Sequence, residues 1–224
     1  MTGSEHGDLL VPLALAAVAG YLLGALPFGY LVARSRGVNI FEVGSRSPGA
    51  TNVGRVLGKW PRNLVFALDA LKGAAAAGWP LLVVWGAVRA FNVPSVLGFV
   101  GLGFALLGHS FSCFTRFKGG KGVSTAAGGL MVLMPPVAVV SGVVWLCVFF
   151  ATRYVSLASI LAAMSLPVTA VLANRGALSI WVTGFVALFV AVMHRANVGR
   201  LLSGTEKRFE RRRDGNDKGP EGKL

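Results

Sequence analysis

The stretch "GVSTAAGGLMVLMPPVAVVSGVVWLCVFFA" (residues 122–151) decides how many times this chain crosses a bilayer. As one helix it is a single long apolar span; broken at Met134-Pro135-Pro136 it is two. Two consecutive prolines remove two amide donors and disfavour helix at the residue before them, so a break is expected at Met134. The segment 123–133 is then only about 16 Å long at 1.5 Å per residue, short of a hydrocarbon core about 30 Å thick. It crosses only if the bilayer thins or the protein shields it.

Outward from that stretch the chain stays apolar. Of its 224 residues 54% are hydrophobic and 14% charged, with a mean hydropathy of +0.65. A soluble domain carries roughly a quarter charged residues, so the composition reads as one polytopic membrane domain, residues 1–205. A mixed-charge tail, 206–224, follows and reads as disordered on the cytoplasmic side. Further spans are expected at 9–33, 61–85, 93–112, 156–173 and 178–194. Glu5 and Asp8 stand where a signal peptide would be basic, so the first apolar run reads as retained. Cys113 and Cys147 have no pairing logic and read as small hydrophobes.

Charge chooses between the two span counts. With the break there are seven spans, an outside N-terminus and a cytoplasmic C-terminus. All Lys and Arg except Lys72, Arg89 and Arg175 then fall inside. Without the break the basic tail inverts, against the positive-inside rule. The net charge of +13 is therefore a topology signal, and no nucleic-acid partner is expected. The expected fold is all-α, with seven transmembrane helices and a short or broken helix around Met134–Pro136.

This topology brings four polar segments to the cytoplasmic face. "FEVGSRSPGATNVGRVLGK" (residues 41–59) offers Ser45, Thr51, Asn52 and Arg55 among glycines, a composition suited to phosphate. "GHSFSCFTRFKGGKGVST" (residues 108–125) adds His109, Lys118, Gly119, Gly120 and Lys121 at an expected helix start, where amides favour anions. The turn at 152–156 contributes Ser156, and "HRANVGRLLSGTE" (residues 194–206) contributes Arg195, Asn197 and Arg200. Taken singly, each segment also fits a membrane-flanking basic loop. Asp69 and Lys72, three apart, share a helix face and read as a structural ion pair inside the membrane.

Between residues 9 and 205 the only carboxylates are Glu42 and Asp69. Magnesium-dependent phosphotransfer needs carboxylates to hold its metal, and His109 and His194 have no clustered partners for zinc. No metal and no cofactor is expected.

Together "GSRSPGATNVGR", "GHSFSCFTRFKGGKGVST" and "HRANVGRLLSGTE", with "LDALKG" and "VSLASI", resemble the bacterial acyl-phosphate:glycerol-3-phosphate acyltransferases, integral membrane enzymes of phospholipid synthesis. The resemblance implies seven helices in the bacterial cytoplasmic membrane and a site facing the cytoplasm. It implies acyl transfer from acyl phosphate to the 1-hydroxyl of glycerol 3-phosphate, giving lysophosphatidic acid and phosphate. Carried over by motif, the catalytic candidates are His109, Ser45, Ser156 and Asn197. The phosphate-binding candidates are Ser45, Thr51, Asn52, Arg55, Lys118, Gly119, Gly120, Lys121 and Arg195. Asp69 and Lys72 support them. Arg46 and Ser47 depart from the family's usual Gly and Asn, which bears on local backbone freedom. Acyl phosphate has a good leaving group, so positioning and electrostatics suffice without a covalent intermediate. His109 is the candidate proton acceptor, a substrate phosphate the other. From a different class, a phosphate or organophosphate transporter would use the same cations but would show internal repeats with discontinuous helices. The partners expected are the two substrates and the bilayer; the oligomeric state is left open.

Overall fold

The computed structural model describes residues 7–83 and 93–209. Among the described residues there is no strand; the chain forms one 3-10 turn (Cys113–Thr115) and ten α-helices. They are α1 (Gly7–Ala25), α2 (Phe28–Arg34), α3 (Ala50–Leu57), α4 (Lys59–Val83), α5 (Val93–Ser110), α6 (Val123–Leu133), α7 (Pro135–Thr152), α8 (Val155–Leu172), α9 (Ala177–Met193) and α10 (Arg195–Leu202).

The break at Met134 is present. α6 ends at Leu133, Met134 leaves helical geometry at φ −143°, and Pro135 opens α7 at a position where its missing N–H is harmless. Four helical stretches are long and apolar enough to span a membrane: Leu9–Arg34, Ser95–Thr115, Pro135–Thr152 and Val155–Leu172. The bent pair α9–α10 makes a fifth. α6, with 11 residues, is shorter and buries Ala126, Gly128, Gly129 and Leu130 against its neighbours. Arg89 and residues 210–224, which carry part of the charge pattern, lie outside the described residues.

Close backbone approach holds the bundle together. Gly20 and Gly24 on α1 lie against Gly101 and Ala105 on α5, and Gly73 on α4 lies against Thr125 on α6; a Cβ at any of these three would overlap the facing backbone. In lipid, small residues supply association because they let helices approach and maximise dispersion contacts. Larger side chains fill the remainder, with Leu102, Leu106, Leu130, Val137, Leu166, Val186 and Val190 in one cluster. Proline divides the first expected span: Leu26-Pro27 separates α1 from α2.

The segments expected to be loops contain two short helices. α3 turns Val53 into a second apolar cluster with Ala33, Ile40 and Val65. α10 bends 60° away from α9. The chain also stays folded past the expected domain boundary at 205. Glu206 is 9% exposed, and Phe209 donates its N–H to the Arg153 carbonyl at 2.8 Å.

Candidate active site

One end of the bundle holds a polar cavity of about 260 Å³. First-turn residues of four helices reach it: Ala50 and Thr51 of α3, Val123 and Ser124 of α6, Val155 and Ser156 of α8, Ala196 and Asn197 of α10. First-turn amides have no intrahelical acceptor, and each helix carries partial positive charge at its N-terminus. Four such ends on one cavity give it a positive potential, an arrangement suited to an anion. Lys121, Arg55 and Arg200 add full charges.

The cations are held in place by acceptors. Lys121 Nζ donates to Asn197 Oδ1. Asn197 Nδ2 donates to Glu206 Oε1 at 2.7 Å, Ser156 Oγ donates to the same oxygen at 2.8 Å, and Arg200 Nε donates to Oε2 at 2.7 Å. Burial pushes the Lys121 ammonium down to about 8; Glu206 opposes that fall, while Arg200 and Arg55 add to it. Burial alone would raise the Glu206 carboxyl, but hydrogen bonds from Asn197, Ser156 and Arg200 hold it below the usual carboxylate range. His194 also lines the cavity, with Nδ1 at 2.8 Å from the Val190 carbonyl. That contact requires the proton on Nδ1 and leaves Nε2 as an acceptor.

The first polar loop is built around Asn52, which is 2% exposed. Its Nδ2 faces the carbonyls of Ile40, Val43 and Ser47 at 3.4, 3.1 and 2.9 Å, and its Oδ1 accepts from Ser45 N at 2.7 Å. Asn52 therefore shapes the loop that presents Ser45, Ser47 and Thr51, and its amide is committed within the protein. Arg46 sits at φ +55°, a left-handed conformation that favours glycine.

Of the sequence candidates, Ser45, Thr51, Asn52, Arg55, His109, Lys121, Ser156, Asn197 and Asp69 line the cavity. Lys118, Gly119, Gly120 and Lys72 instead line a small crevice on the other side of Asp69 and His109. Arg116 and Phe117 both take positive φ, at 54° and 59°, just before this segment, and Gly119 and Gly120 separate Lys118 in the crevice from Lys121 in the cavity. Arg195 is exposed and donates to the Val192 carbonyl at 3.4 Å, whereas Asn197 and Arg200, three apart on α10, face inward together.

His109 is enclosed at both ring nitrogens. Nδ1 lies 3.6 Å from Asp69 Oδ1 and 3.3 Å from Thr125 Oγ1. Nε2 meets the backbone at Gly120, where a Cβ would overlap it. Asp69 also pairs with Lys72 at 2.8 Å, and Lys72 Nζ donates to the Leu26 carbonyl at 2.9 Å. This buried group ties α4 and α5 to the break between α1 and α2. Among the described residues, no three His, Cys, Asp or Glu side chains converge as a metal site.

A second, apolar groove of about 500 Å³ joins the polar cavity. Phe66, Val123, Trp145 and Ser159 line both. From that junction the groove runs between α6, α7, α8 and α9, past Leu130, Gly142, Leu166 and Val186. Trp145 Nε1 donates to Ser159 Oγ at 3.1 Å, fixing the indole where the two spaces meet.

An anion site opening onto an apolar groove is what an enzyme joining a phosphate compound to an acyl chain requires, and the comparison with known proteins agrees. A family model described as glycerol-3-phosphate acyltransferase matches residues 14–204. The chain belongs to the glycerol-3-phosphate acyltransferase family. It is 43% identical over 193 residues to the glycerol-3-phosphate acyltransferase of Aquifex aeolicus, covering 86% of this chain and 96% of that one. To that of Fusobacterium nucleatum it is 38% identical over 194 residues, covering 86% and 96%. Among solved structures it resembles PlsY (YgiH), an integral membrane glycerol 3-phosphate acyltransferase. The glycerol 3-phosphate form matches with a TM-score of 0.80 and 39% identity, over 88% of this chain and 96% of that one. The lysophosphatidic acid form matches with 0.78 and 38%, over 88% and 95%.

Two inward-facing groups were not among the sequence candidates: Glu206 and His194. His194 stands three residues before Asn197 in the same motif, and that spacing was the available signal for it. Glu206 begins a mixed-charge run and carries no local signal.

Proposed function

We propose that this protein transfers a fatty acyl group from acyl phosphate to the 1-hydroxyl of glycerol 3-phosphate, releasing lysophosphatidic acid and phosphate. The observation that carries this function is the continuity of the two spaces: a cavity ringed by helix N-termini and cations opens at Trp145 and Ser159 onto an apolar groove. Only a substrate pair with a phosphate end and a long apolar chain uses both. A transporter would need access from the opposite face, and its binding groups would lie near mid-bilayer.

In this scheme Lys121, Arg55 and Arg200, with the amides of α3 and α6, hold the two phosphates and neutralise the one that leaves. Ser45, Thr51 and Ser156 orient them by hydrogen bonds. Asn197 and Glu206 fix the Lys121 ammonium and the Ser156 hydroxyl. Asn52 builds the loop, and His109 with Asp69 and Lys72 props the glycine segment 119–122. Burial and the neighbouring Lys121 push His194 down to about 4, too weak a base for this step, so the proton of the attacking hydroxyl passes to a substrate phosphate or to His109, which lines the cavity. The transfer needs no metal, because the leaving group is already activated and positive charge comes from side chains and helix ends.

The same geometry supports seven crossings, counting α1–α2 as one span and α6 as a short one. It also supports an outside N-terminus and a cytoplasmic site in the bacterial cytoplasmic membrane, since every cavity-lining segment lies at the ends where Lys and Arg concentrate. The test is donor choice. Purified protein in detergent with a chelator should form lysophosphatidic acid from palmitoyl phosphate and glycerol 3-phosphate, and not from palmitoyl-CoA. Transfer from the thioester at equal rate, or only with added metal, would overturn the assignment.

A further inference from the structure

After α10 the chain reverses at Gly204, whose φ is +68°, and the Thr205 and Glu206 N–H groups donate to the Arg200 carbonyl at 2.8 and 3.0 Å. The next four residues form a strap: Glu206 and Lys207 meet residues of the cavity wall, and Arg208 and Phe209 meet residues beside it. Glu206 points inward to Ser156, Asn197 and Arg200. The Lys207 carbonyl accepts from Arg55 Nη2 at 3.3 Å. Arg208 lies over the Tyr154 ring, 5.2 Å from its centroid, and donates from Nε to its hydroxyl at 3.1 Å. Phe209 packs edge-on to Phe149 at 5.6 Å, lies under Arg62 at 5.2 Å, and donates its N–H to the Arg153 carbonyl.

We infer that Phe209 is a positioning residue for the acyl-transfer site, docking the strap so that the Glu206 carboxylate stays on Ser156, Asn197 and Arg200. Glu206 is the one buried side chain among residues 206–209, so the strap adds no apolar residue to the core. What its docking determines is where one carboxylate sits. Through Asn197 that carboxylate also orients the Lys121 ammonium. Residues on α3, α4, α7 and the α7–α8 link hold the strap, so the position of Glu206 also reports the relative placement of those elements. This inference rests on the proposed acyl transfer for its kinetic readout.

The experiment uses the full-length chain as wild type, Phe209→Ala, Phe209→Trp, Glu206→Gln and the double variant Phe209→Ala/Glu206→Gln. Steady-state kinetics with palmitoyl phosphate and glycerol 3-phosphate are read beside the detergent melting temperature. Phe209→Ala should lower kcat/KM for glycerol 3-phosphate about tenfold while the KM for palmitoyl phosphate holds within about twofold. Phe209→Trp should restore it, and Phe209→Ala should change little once Glu206 is Gln, since positioning acts only through that carboxylate. An undiminished Phe209→Ala, an equal further loss in the Glu206→Gln background, or a loss tracking the melting temperature without rescue by Trp would overturn it. If wild type transfers no acyl group, the assigned reaction fails. Positioning is then read from thermal stabilisation by inorganic phosphate. That stabilisation must weaken in Phe209→Ala when Glu206 is present; unchanged phosphate stabilisation overturns the inference.

Discussion

Lys121 is the cation with the clearest signature, because burial leaves it with a value of about 8 where an exposed lysine has 10.5. It is charged at neutral pH and loses that charge just above. The second pKa of a phosphate monoester is about 6, so from about pH 8 to 10 the ligand stays a dianion while Lys121 titrates. kcat/KM for glycerol 3-phosphate, which reports free-enzyme ionisations, should therefore bend downward near pH 8 and approach a tenfold fall per unit. Lys121→Met should remove a charge-assisted hydrogen bond of about 1.5–3 kcal/mol, a loss of roughly 10- to 150-fold at pH 7. Lys121→Arg should keep part of the activity and remove the bend, since guanidinium does not titrate there. Stability moves the other way. A lysine whose folded value lies below its unfolded one disfavours folding while charged, so this group's contribution to stability improves as pH rises from about 8 to 10.5. The difference in melting temperature between wild type and Lys121→Met should narrow across that window as substrate affinity declines. An unchanged alkaline bend in Lys121→Arg would refute the assignment of the limb to Lys121.

Gly142 lines the apolar groove, and a Cβ there meets nothing within 4 Å. Gly142→Leu should therefore occupy the groove and penalise long donors selectively, at about 0.8 kcal/mol per excluded methylene; relative kcat/KM for palmitoyl and octanoyl phosphate measures this. Asp69→Ala leaves Lys72 and His109 buried opposite no charge. It should lower stability by roughly 3–5 kcal/mol, and Asp69→Leu/Lys72→Met should recover much of it, read by thermal denaturation in detergent. Arg46→Gly relieves a left-handed backbone worth about 1 kcal/mol, raising the melting temperature by roughly 2–4 °C.

The all-helical architecture and the break were legible because hydropathy and proline chemistry act locally. Among the described residues, however, four or five of the seven expected spans are long and apolar enough to cross, and the expected span at 61–85 is not among them. Met134-Pro135-Pro136 ends one helix and starts another whatever surrounds it, and the structure breaks there. α3 and α10 were not legible: Gly44, Gly49, Gly54 and Gly58 crowd the first loop and obscure the Ala50, Val53 and Leu57 spacing that turns α3 against Ile40 and Val65. The candidate cations separated for a similar reason. Lys118 and Lys121 look equivalent in sequence, but Lys118 lines the crevice and Lys121 the cavity, a division that only tertiary packing makes. Glu206 was hidden most completely. A carboxylate at the start of a mixed-charge run reads as solvated, and its three hydrogen-bond partners are 9, 50 and 6 residues away.

The central assertion is direct transfer: with both phosphates held in one electropositive cavity, the acyl group leaves the phosphate of acyl phosphate for the 1-hydroxyl of glycerol 3-phosphate without resting on the protein, although Ser45 and Ser156 line the same space. Rapid-quench mixing of enzyme with excess palmitoyl phosphate, without glycerol 3-phosphate, tests it. Direct transfer predicts no phosphate burst and no acylated protein, then lysophosphatidic acid and phosphate in equal amounts once glycerol 3-phosphate is added. A burst of phosphate stoichiometric with enzyme, and an acyl group retained on either serine, would contradict it.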